Sequence, residues 1–267
     1  MLKTIQIGHR IFHFQNSIQE TLAYEAQQSY YCHLTDYLVI DVLGPQAKTF
    51  LQGQLTNDIL QIKPEELNKQ LLCNIKGQII SKILVIEVDQ QLRLIVERDL
   101  WPEVKTLLDK TARLSKVAFQ ENPLLNVYGL ISTHVLEGSY PLNEQQSLWI
   151  GAHWPAHSHY IEKPDLFWHF ISIQALEFRI YPSTTRQYLP KPLGLETQWV
   201  HFNKGCYRGQ EIIARMHFLG KEKYHLLHQI MDWNEQIQPG SDDIIDLCPI
   251  DEHQALAIVM KPISPHK

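Results

Sequence analysis

The stretch YLVIDVLGPQAKTFLQGQL, residues 37–55, contains the two kinds of element from which the fold is built. Its first seven residues are rich in β-branched and aromatic side chains, which is typical of a strand. Gly44-Pro45 interrupts that pattern, and apolar residues from Ala47 to Leu55 then recur at helical spacing. A strand that runs through a turn into a helix indicates a mixed fold.

Strand-like segments and a second helix follow. Three β-rich segments occupy residues 69–77, 78–89 and 91–97, and DLWPEVKTLLDKTARL (99–114) has a helical pattern with Asp99 as candidate N-cap. SKVAFQE (115–121) closes the block. The order β-α-β-β-β-α-β predicts an α+β sandwich, with an antiparallel sheet and helices on one face.

Further elements flank this block on both sides. Residues 1–36 contain two short alternating runs and a polar, helix-like segment. After residue 124 the pattern restarts with the strand LNVYGLIS, and DLFWHFISIQALEFRI (165–180) predicts an amphipathic helix. The final segment, residues 221–267, has three strand-like runs and a QPGS turn, which predict a small all-β cap or partial barrel.

The composition limits the class of protein. The chain has 267 residues, 44% of them hydrophobic and 20% charged, as globular proteins do. A net charge of −5 argues against nucleic-acid binding through a global positive field, and no apolar run approaches the roughly 20 residues of a membrane span. The four cysteines are far apart and form no CxxC pair, which predicts reduced thiols and a cytoplasmic protein.

The segment FNKGCYRGQEIIARMHFLGK, residues 202–221, combines a helix pattern with a cysteine. Gly209 is expected to begin the helix and Gly220 to end it. Glu211 would lie in the first turn, where a carboxylate complements the helix dipole. The residues predicted to share one helix face are Ile212, Ile213, Met216 and Leu219.

Cys206 lies just before this helix, between Lys204 and Arg208. Positive neighbours and a helix N-terminus favour a reactive thiolate. No histidine or aspartate partner can be assigned by spacing, so a structural cysteine, a nucleophile and a binding loop all remain open. Gly205 and Gly209 favour a loop that approaches a ligand closely.

Four segments resemble one known family. KGCYRGQE (204–211) matches the K-G-C-Y-x-G-Q-E signature of the YgfZ family, folate-binding proteins related to the glycine-cleavage T-protein, an aminomethyltransferase. VLGPQAKTFLQGQLTNDI (42–59), CNIKGQII (73–80) and YLPKPLGLE (188–196) resemble further family segments in the same order. The resemblance extends from about residue 34 to residue 225.

The resemblance implies an α+β fold in three parts around a central folate cavity. Two ferredoxin-like α+β units and a small C-terminal β-barrel-like domain would form a ring. The first unit would comprise residues 1–36 and 120–205, and the second, residues 37–119, would be inserted in it. The C-terminal β domain, residues 206–267, is shorter than the usual family barrel.

The resemblance also implies tetrahydrofolate or a derivative as ligand. Trp168 falls where the family has a tryptophan beside the pterin, and Tyr37 falls where it has a second tryptophan. Without the resemblance, both aromatics are expected to be ordinary core or strand residues. Cys206 would supply a thiol at the mouth of the cavity for redox or thiol-exchange chemistry. The other residues implied to bind the cofactor are Lys204, Gly205, Tyr207, Arg208, Gly209, Gln210 and Glu211.

One departure separates this chain from the transferases. The T-protein has an aspartate after the Lys-Gly turn that acts on the folate nitrogen, whereas Ser81 and Lys82 occupy the acidic positions here. A conventional enzyme is therefore not expected. The resemblance instead implies an accessory protein for iron–sulfur proteins, including tRNA-thiolating enzymes, without a membrane partner or direct RNA contact.

Two other functions remain open from the sequence. A folate-dependent one-carbon transferase would need Glu87 or Asp89 to replace the missing aspartate. The second possibility is a binding module that has the same scaffold but no longer binds folate.

Charged and histidine-rich segments give weaker signals. HWPAHSHY (153–160) brings three histidines together without a neighbouring carboxylate or cysteine, which favours a polar surface loop, and no metal site is predicted. The excess of positive charge between Lys204 and Lys223 is compatible with folate carboxylates, with an RNA phosphate or with a solvated helix face.

Overall fold

The computed structural model describes residues 2–64, 66–155, 159–221 and 223–263. Across these ranges, none of the helices has both the length and the apolar character needed to cross a bilayer. The chain forms two compact units, each made of several separate segments. The predicted three-domain division stays a prediction. The units comprise residues 1–35, 125–184 and 226–261, and residues 36–124, 185–225 and 262–267.

Helices are interspersed among the strands of the described chain. The strands are β1 (Lys3–Ile7), β2 (Arg10–Phe14), β3 (Tyr30–His33), β4 (Tyr37–Leu43), β5 (Asn68–Cys73), β6 (Ile79–Val88), β7 (Gln91–Glu97), β8 (Ala118–Glu121), β9 (Asn126–Ile131), β10 (Tyr140–Pro141), β11 (Gln146–Gly151), β12 (Ile161–Glu162), β13 (Tyr224–Asp232), β14 (Ile244–Pro249) and β15 (Gln254–Pro262). The α-helices are α1 (Ile18–Leu22), α2 (Ala47–Gln52), α3 (Trp101–Ala112), α4 (Asp165–Gln174), α5 (Glu196–Trp199) and α6 (Gln210–Leu219).

The first unit is built around a five-stranded sheet in the order β10-β11-β9-β3-β12. Only β12 runs parallel to its neighbour in this sheet. Helix α4 packs against the sheet so closely that a Cβ atom on Gly129 would lie 2.3 Å from Cε3 of Trp168. A glycine is therefore required at this position of β9, because any side chain would displace the indole ring.

The second unit contains a five-stranded antiparallel sheet in the order β5-β6-β7-β4-β8. Its element order confirms the prediction of β-α-β-β-β-α-β for residues 37–121. Backbone hydrogen bonds of 2.8 and 2.7 Å join Ile79 to Tyr188 and to Arg186. These bonds attach the segment that leads toward Cys206 to the start of β6.

Two predicted helix details, in α3 and α4, were wrong, each for a local reason. Helix α3 is capped by Leu100 and not by Asp99, because its first helical bond runs from the Val104 N–H to the Leu100 carbonyl. Helix α4 ends at Gln174, since Leu176 adopts a positive φ of 56°. Helix α6 contains all four residues of the predicted apolar face; Ile213 is buried, Ile212 and Met216 are half-buried and Leu219 is exposed.

The C-terminal strands form a three-stranded sheet in the order β13-β15-β14. All three lie where the alternating sequence predicts strands. Every residue of β14 is buried, whereas no residue of β13 is. One edge strand of this sheet, β14, is therefore buried, and the other edge strand, β13, is exposed.

Candidate functional site

Three sequence motifs meet in the second unit, around residues 204–209. We call this segment the Cys206 loop. The side chain of Lys204 enters the connection between α2 and β5, and its Nζ atom donates to three carbonyl oxygens, those of Gln52 (2.8 Å), Leu55 (2.7 Å) and Asn57 (2.8 Å). An ammonium group has three hydrogens, so these bonds use all of its donors. These bonds give Lys204 a structural role, and the folate-binding role that the resemblance implies for it stays a prediction.

The surroundings of Lys204 are electrostatically matched to a buried cation. The carbonyl oxygens lie at and beyond the C-terminus of α2, where a helix carries partial negative charge. Burial lowers the pKa of Lys204 to about 8, and the charge on Asp58 opposes this shift. Asp58 is in turn held by the side-chain amides of Gln52 and Gln61, at 3.0 and 2.9 Å. The amine and the carboxylate thus stabilise one another inside the motif.

Gly209 packs against the turn that joins β5 to β6. Its φ is +81°, and a Cβ atom there would lie 2.4 Å from the carbonyl oxygen of Asn74 and 3.0 Å from Cα of Gly77. Gly77 also has a positive φ, of 73°. Two glycines from two different motifs therefore meet at a contact that leaves no space for a side chain.

Tyr207 and Arg208 carry polar atoms without a partner among the described residues. The Tyr207 hydroxyl and the Nε atom of Arg208 are both buried and unpaired. Arg208 donates through Nη2 to Oε1 of Gln54 at 2.9 Å. Burial raises the pKa of Tyr207, and the Cys73 thiol and the Glu196 carboxylate raise it further. Buried polar atoms left unpaired are costly, so these two groups mark a place for a water or a ligand.

Cys206 differs from the other cysteines in its exposure. Its side chain is at the surface, and the position where a Cβ atom of Gly205 would lie is open space. The other three thiols are buried, and burial raises the pKa of each of them: Cys32, Cys73 and Cys248. Among the four thiols, only that of Cys206 is presented to solvent for chemistry.

Helix α6 begins directly after the Cys206 loop. Gln210 bonds back to the Tyr207 carbonyl at 3.2 Å, and Glu211 is exposed in the first turn, as predicted. Gly209, the N-cap, has no side chain to bond the first free N–H groups. At the other end Lys191 donates to three carbonyl oxygens, those of Met216 (3.1 Å), His217 (3.1 Å) and Gly220 (2.9 Å).

The two predicted pterin-side aromatics lie in different units. Trp168 belongs to the first unit and is only 5% exposed, with its ring against Gly129 in the core. Tyr37 belongs to the second unit, is half-buried and pairs with Glu97 at the start of β4. Within its own unit, Trp168 is a packing residue, which is the interpretation that its helical pattern favours on its own.

Ser81 and Lys82, which lie where the T-protein has acidic residues, make contacts within the fold. Ser81 is fully buried and donates to the carbonyl oxygen of Lys82 at 2.9 Å, while the Lys82 ammonium lies 4.4 Å from the ring centre of Trp199. Glu87 is six residues further along β6, or about 20 Å at the usual rise per residue, and pairs with Lys48 at 2.8 Å. It is therefore too far from Ser81 to replace the missing aspartate.

The histidine-rich segment lies partly outside the described residues. His153 and His159 are described, whereas His157 is not. The described ranges contain no group of three or more histidine, cysteine or acidic side chains placed to hold a metal ion. The positive residues Arg215, Lys221 and Lys223 are exposed, unlike the ammonium of Lys204.

Sequence reasoning missed Thr56, which connects the motif to the rest of the second unit. Its buried hydroxyl donates to the Trp199 carbonyl at 2.6 Å and accepts from the Leu71 N–H at 2.9 Å. Gln54 and Asn74, which contact the Cys206 loop, were also missed as site residues. All three lie inside segments that resemble the family, and this location could have marked them as site residues.

A solved structure shares this fold. The glycine-cleavage aminomethyltransferase T from Bartonella henselae superposes with a TM-score of 0.74, covering 97% of this chain and 86% of that chain, at 11% identity. At 11% sequence identity, this similarity is evidence for a shared fold only. The chain therefore has the mixed α+β fold, with several sheets, of the aminomethyltransferase T proteins.

Proteins of similar sequence include several tRNA-modifying YgfZ proteins. An uncharacterized protein of Haemophilus influenzae is 28% identical and covers 80% of this chain and 78% of its own length. The tRNA-modifying proteins YgfZ of Buchnera aphidicola and Cronobacter sakazakii are 25% and 24% identical, over 88% and 78% of this chain and 82% and 73% of their own lengths. No protein-family model matches the chain. Over most of its length the chain is therefore similar in sequence to YgfZ proteins, and its fold is that of the glycine-cleavage aminomethyltransferase T.

Proposed function

We propose that this protein is a cytoplasmic, folate-binding accessory protein that acts through the Cys206 thiol. It would support iron–sulfur proteins and, through them, tRNA modification. The observation that carries the proposal is the convergence of three motifs on an exposed cysteine. Lys204 and Gly209 fix the two ends of the loop, and Cys206 alone among the cysteines lies at the surface.

A reduced folate is the cofactor that suits the family and the unpaired groups. Folate offers carboxylates and a pterin ring with donors and acceptors. The Tyr207 hydroxyl and Arg208 Nε are hydrogen-bonding atoms without a protein partner among the described residues, so they are the groups that we assign to it. We propose that the complete site is the central cavity of a three-part ring with a C-terminal barrel-like part.

The thiol would serve redox or thiol-exchange chemistry, or contact a cluster transiently. An exposed thiol on a firmly held loop can approach a partner protein without local unfolding. The absence of a carboxylate at Ser81 favours this accessory role over aminomethyl transfer. Direct contact with RNA and a membrane partner are not part of the proposal.

Calorimetric titration with tetrahydrofolate, under anaerobic conditions, tests the ligand. Tyr207→Phe removes only the unpaired hydroxyl, so we expect about tenfold weaker binding without loss of stability in the free protein. The matched control is Tyr181→Phe, which removes a hydroxyl bonded to Asp246 in the first unit. It should lower stability and leave folate affinity unchanged. Absence of binding at millimolar folate would overturn the cofactor assignment.

The role of the thiol needs a separate measurement in cells. Cys206→Ala should keep folate affinity but fail to restore iron–sulfur enzyme activity and tRNA thiolation in a strain that lacks the gene. The side chain is exposed, so the variant should fold normally. Full restoration by Cys206→Ala would remove the thiol from the mechanism while leaving folate binding intact.

A further inference from the structure

Strand β13 leaves one long edge of the C-terminal sheet open. None of its nine residues is buried, and Leu227 and Ile230 are 44% and 61% exposed. Among the described strands, β13 has β15 as its only neighbour. His228 holds the strand against the end of α4 through a 2.7 Å hydrogen bond between Nε2 and the carbonyl oxygen of Ile173. The strand is thus anchored, and its free edge is accessible.

The bonds at the two ends of the β13–β15 ladder define its register. The Ile263 N–H donates to the Lys223 carbonyl at 2.9 Å, and the Trp233 N–H donates to the His253 carbonyl at 2.7 Å. Both strands advance by the same number of residues between these bonds, from 223 to 233 and from 263 to 253, so the register has no net shift. Odd-numbered residues of β13 therefore bond to β15.

The even-numbered residues consequently direct their backbone N–H and C=O groups to the open edge, because an antiparallel strand alternates between its two edges. This outward set is symmetric about its central member, His228. The outward-facing residues are Tyr224, Leu226, His228, Ile230 and Asp232.

We propose that β13 pairs antiparallel with β13 of a second copy of this chain, about a two-fold axis at His228. In this register Leu226 faces Ile230 of the second copy, so two apolar pairs lie on the same face, one on each side of the axis. Tyr224 faces Asp232 at both ends. Every outward N–H and C=O of the two strands then has a partner, as an isologous interface requires.

The charge of the strand favours a second copy as the occupant. Residues 224–231 include no lysine, arginine, aspartate or glutamate, so identical strands meet without repulsion between fixed charges. Natural edge strands that avoid pairing usually carry lysine, proline or a bulge. Residues 224–232 contain no lysine or proline, and the unshifted ends of the ladder indicate no net bulge.

Analytical ultracentrifugation of the full chain over a concentration series tests this pairing. The expected result is a reversible dimer with twice the 31.2 kDa chain mass. Ile230→Lys places one lysine on each side of the axis and should raise the dimer dissociation constant by about tenfold or more. Leu114→Lys, at a leucine that is 86% exposed and far along the chain, is the matched control and should leave the constant unchanged.

Amide hydrogen exchange of the wild-type protein gives a test without any substitution. In the dimer, the outward amides of Leu226, His228 and Ile230 should gain protection as concentration rises, while the odd-numbered amides stay protected throughout. A wild-type chain that remains monomeric at hundreds of micromolar would overturn the proposal. A dimer that Ile230→Lys leaves unchanged would overturn it as well.

Discussion

Both units bury charged side chains, and one from each unit, Asp246 and Lys204, can be compared because their surroundings differ. In the first unit the Asp246 carboxylate is completely buried. In the second unit Lys204 is 9% exposed and lies two residues from the surface thiol of Cys206. One charge is enclosed within a core, whereas the other supports a loop that reaches the solvent.

The carboxylate of Asp246 is bonded on all sides by groups of the first unit. Burial would raise the pKa of Asp246, but the nearby His169 ring and hydrogen bonds from the Tyr181 hydroxyl and the Arg179 N–H lower it overall. The hydrogen-bond lengths are 2.7 Å from Tyr181, 2.9 Å from Arg179 and 2.8 Å from the Leu247 N–H.

Because their surroundings differ, substitutions of the two residues should have different consequences for stability and for the candidate site. Asp246 connects β14 to the segment after α4, so its loss should weaken the fold without touching a site. Lys204 holds both the α2–β5 connection and the Cys206 loop, so its loss should affect stability and the candidate site together.

The largest expected effect is that of Asp246→Asn. The new amide would place donors opposite the Tyr181 hydroxyl and backbone N–H groups, and the buried network would be broken. We expect a loss of about 4 kcal/mol in the free energy of unfolding, measured by urea denaturation at neutral pH. Asp243→Asn, at an exposed aspartate, is the control and should change it by less than about 0.5 kcal/mol.

At low pH, the wild type and Asp246→Asn should differ less in their free energies of unfolding. Because the folded-state pKa of Asp246 is lowered, its stabilising contribution is fully present above the unfolded-state value of about 4. It is lost as pH falls through the folded-state value. The gap between the two proteins should therefore narrow only below about pH 4. A gap that stays constant to pH 2 would contradict the role of the ionised carboxylate.

Lys204→Met should have the second largest effect. Methionine fills the space of the aliphatic stem but leaves three carbonyl oxygens without their donor, which should cost about 3 kcal/mol. Exchange of the amides in the Cys206 loop should also accelerate. Lys110→Met on the exposed side of α3 is the control. A stable Lys204→Met protein with an unchanged loop would show that the ammonium is dispensable.

Gly209→Ala should have a smaller effect that remains local to the site. The methyl group would meet the Asn74 carbonyl at 2.4 Å, and its positive φ of 81° disfavours any residue with a Cβ atom. We expect about 2 kcal/mol of destabilisation. Gly138→Ala is the matched control, because Gly138 also has a positive φ but an unobstructed Cβ position. It should cost about 1 kcal/mol, which isolates the contribution of the Asn74 contact.

The smallest expected effect on stability is that of Cys206→Ala. Its free energy of unfolding should stay within about 0.5 kcal/mol of the wild type, because the side chain is exposed. Iodoacetamide should label a single cysteine in the native wild type and none in this variant, since the other three thiols are buried. Rapid labelling of a second thiol would show that one of the cores opens.

The sequence predicted the sheet of the second unit well because its strands carry strong local signals. Seven of the ten residues of β6 are apolar, and eight of the ten are buried. The end of α4 was missed, since nothing in the sequence marks Leu176 for a positive φ. The burial of Trp168 follows from its helical pattern alone, whereas its proposed place beside the pterin rests on the resemblance.

The sequence predicts which segment forms the candidate site but not the contacts that hold it. A contiguous motif identifies the Cys206 loop, because its glycines and basic residues are adjacent in the chain. The partners of Lys204 could not be predicted, since backbone carbonyl oxygens have no residue signature. A lysine beside a cysteine was therefore interpreted as electrostatic support for the thiol, although its ammonium is bonded to a different segment.

The carbonyl cage of Lys204 has a consequence for how the site assembles. Backbone carbonyl oxygens are also the ligands with which proteins hold monovalent metal ions such as potassium. Such an ion must be recruited from solution, and its occupancy depends on the salt present. Here the cation is covalently attached to the segment that it positions. The Cys206 loop therefore acquires its counter-charge as the chain folds, whatever ions surround the protein.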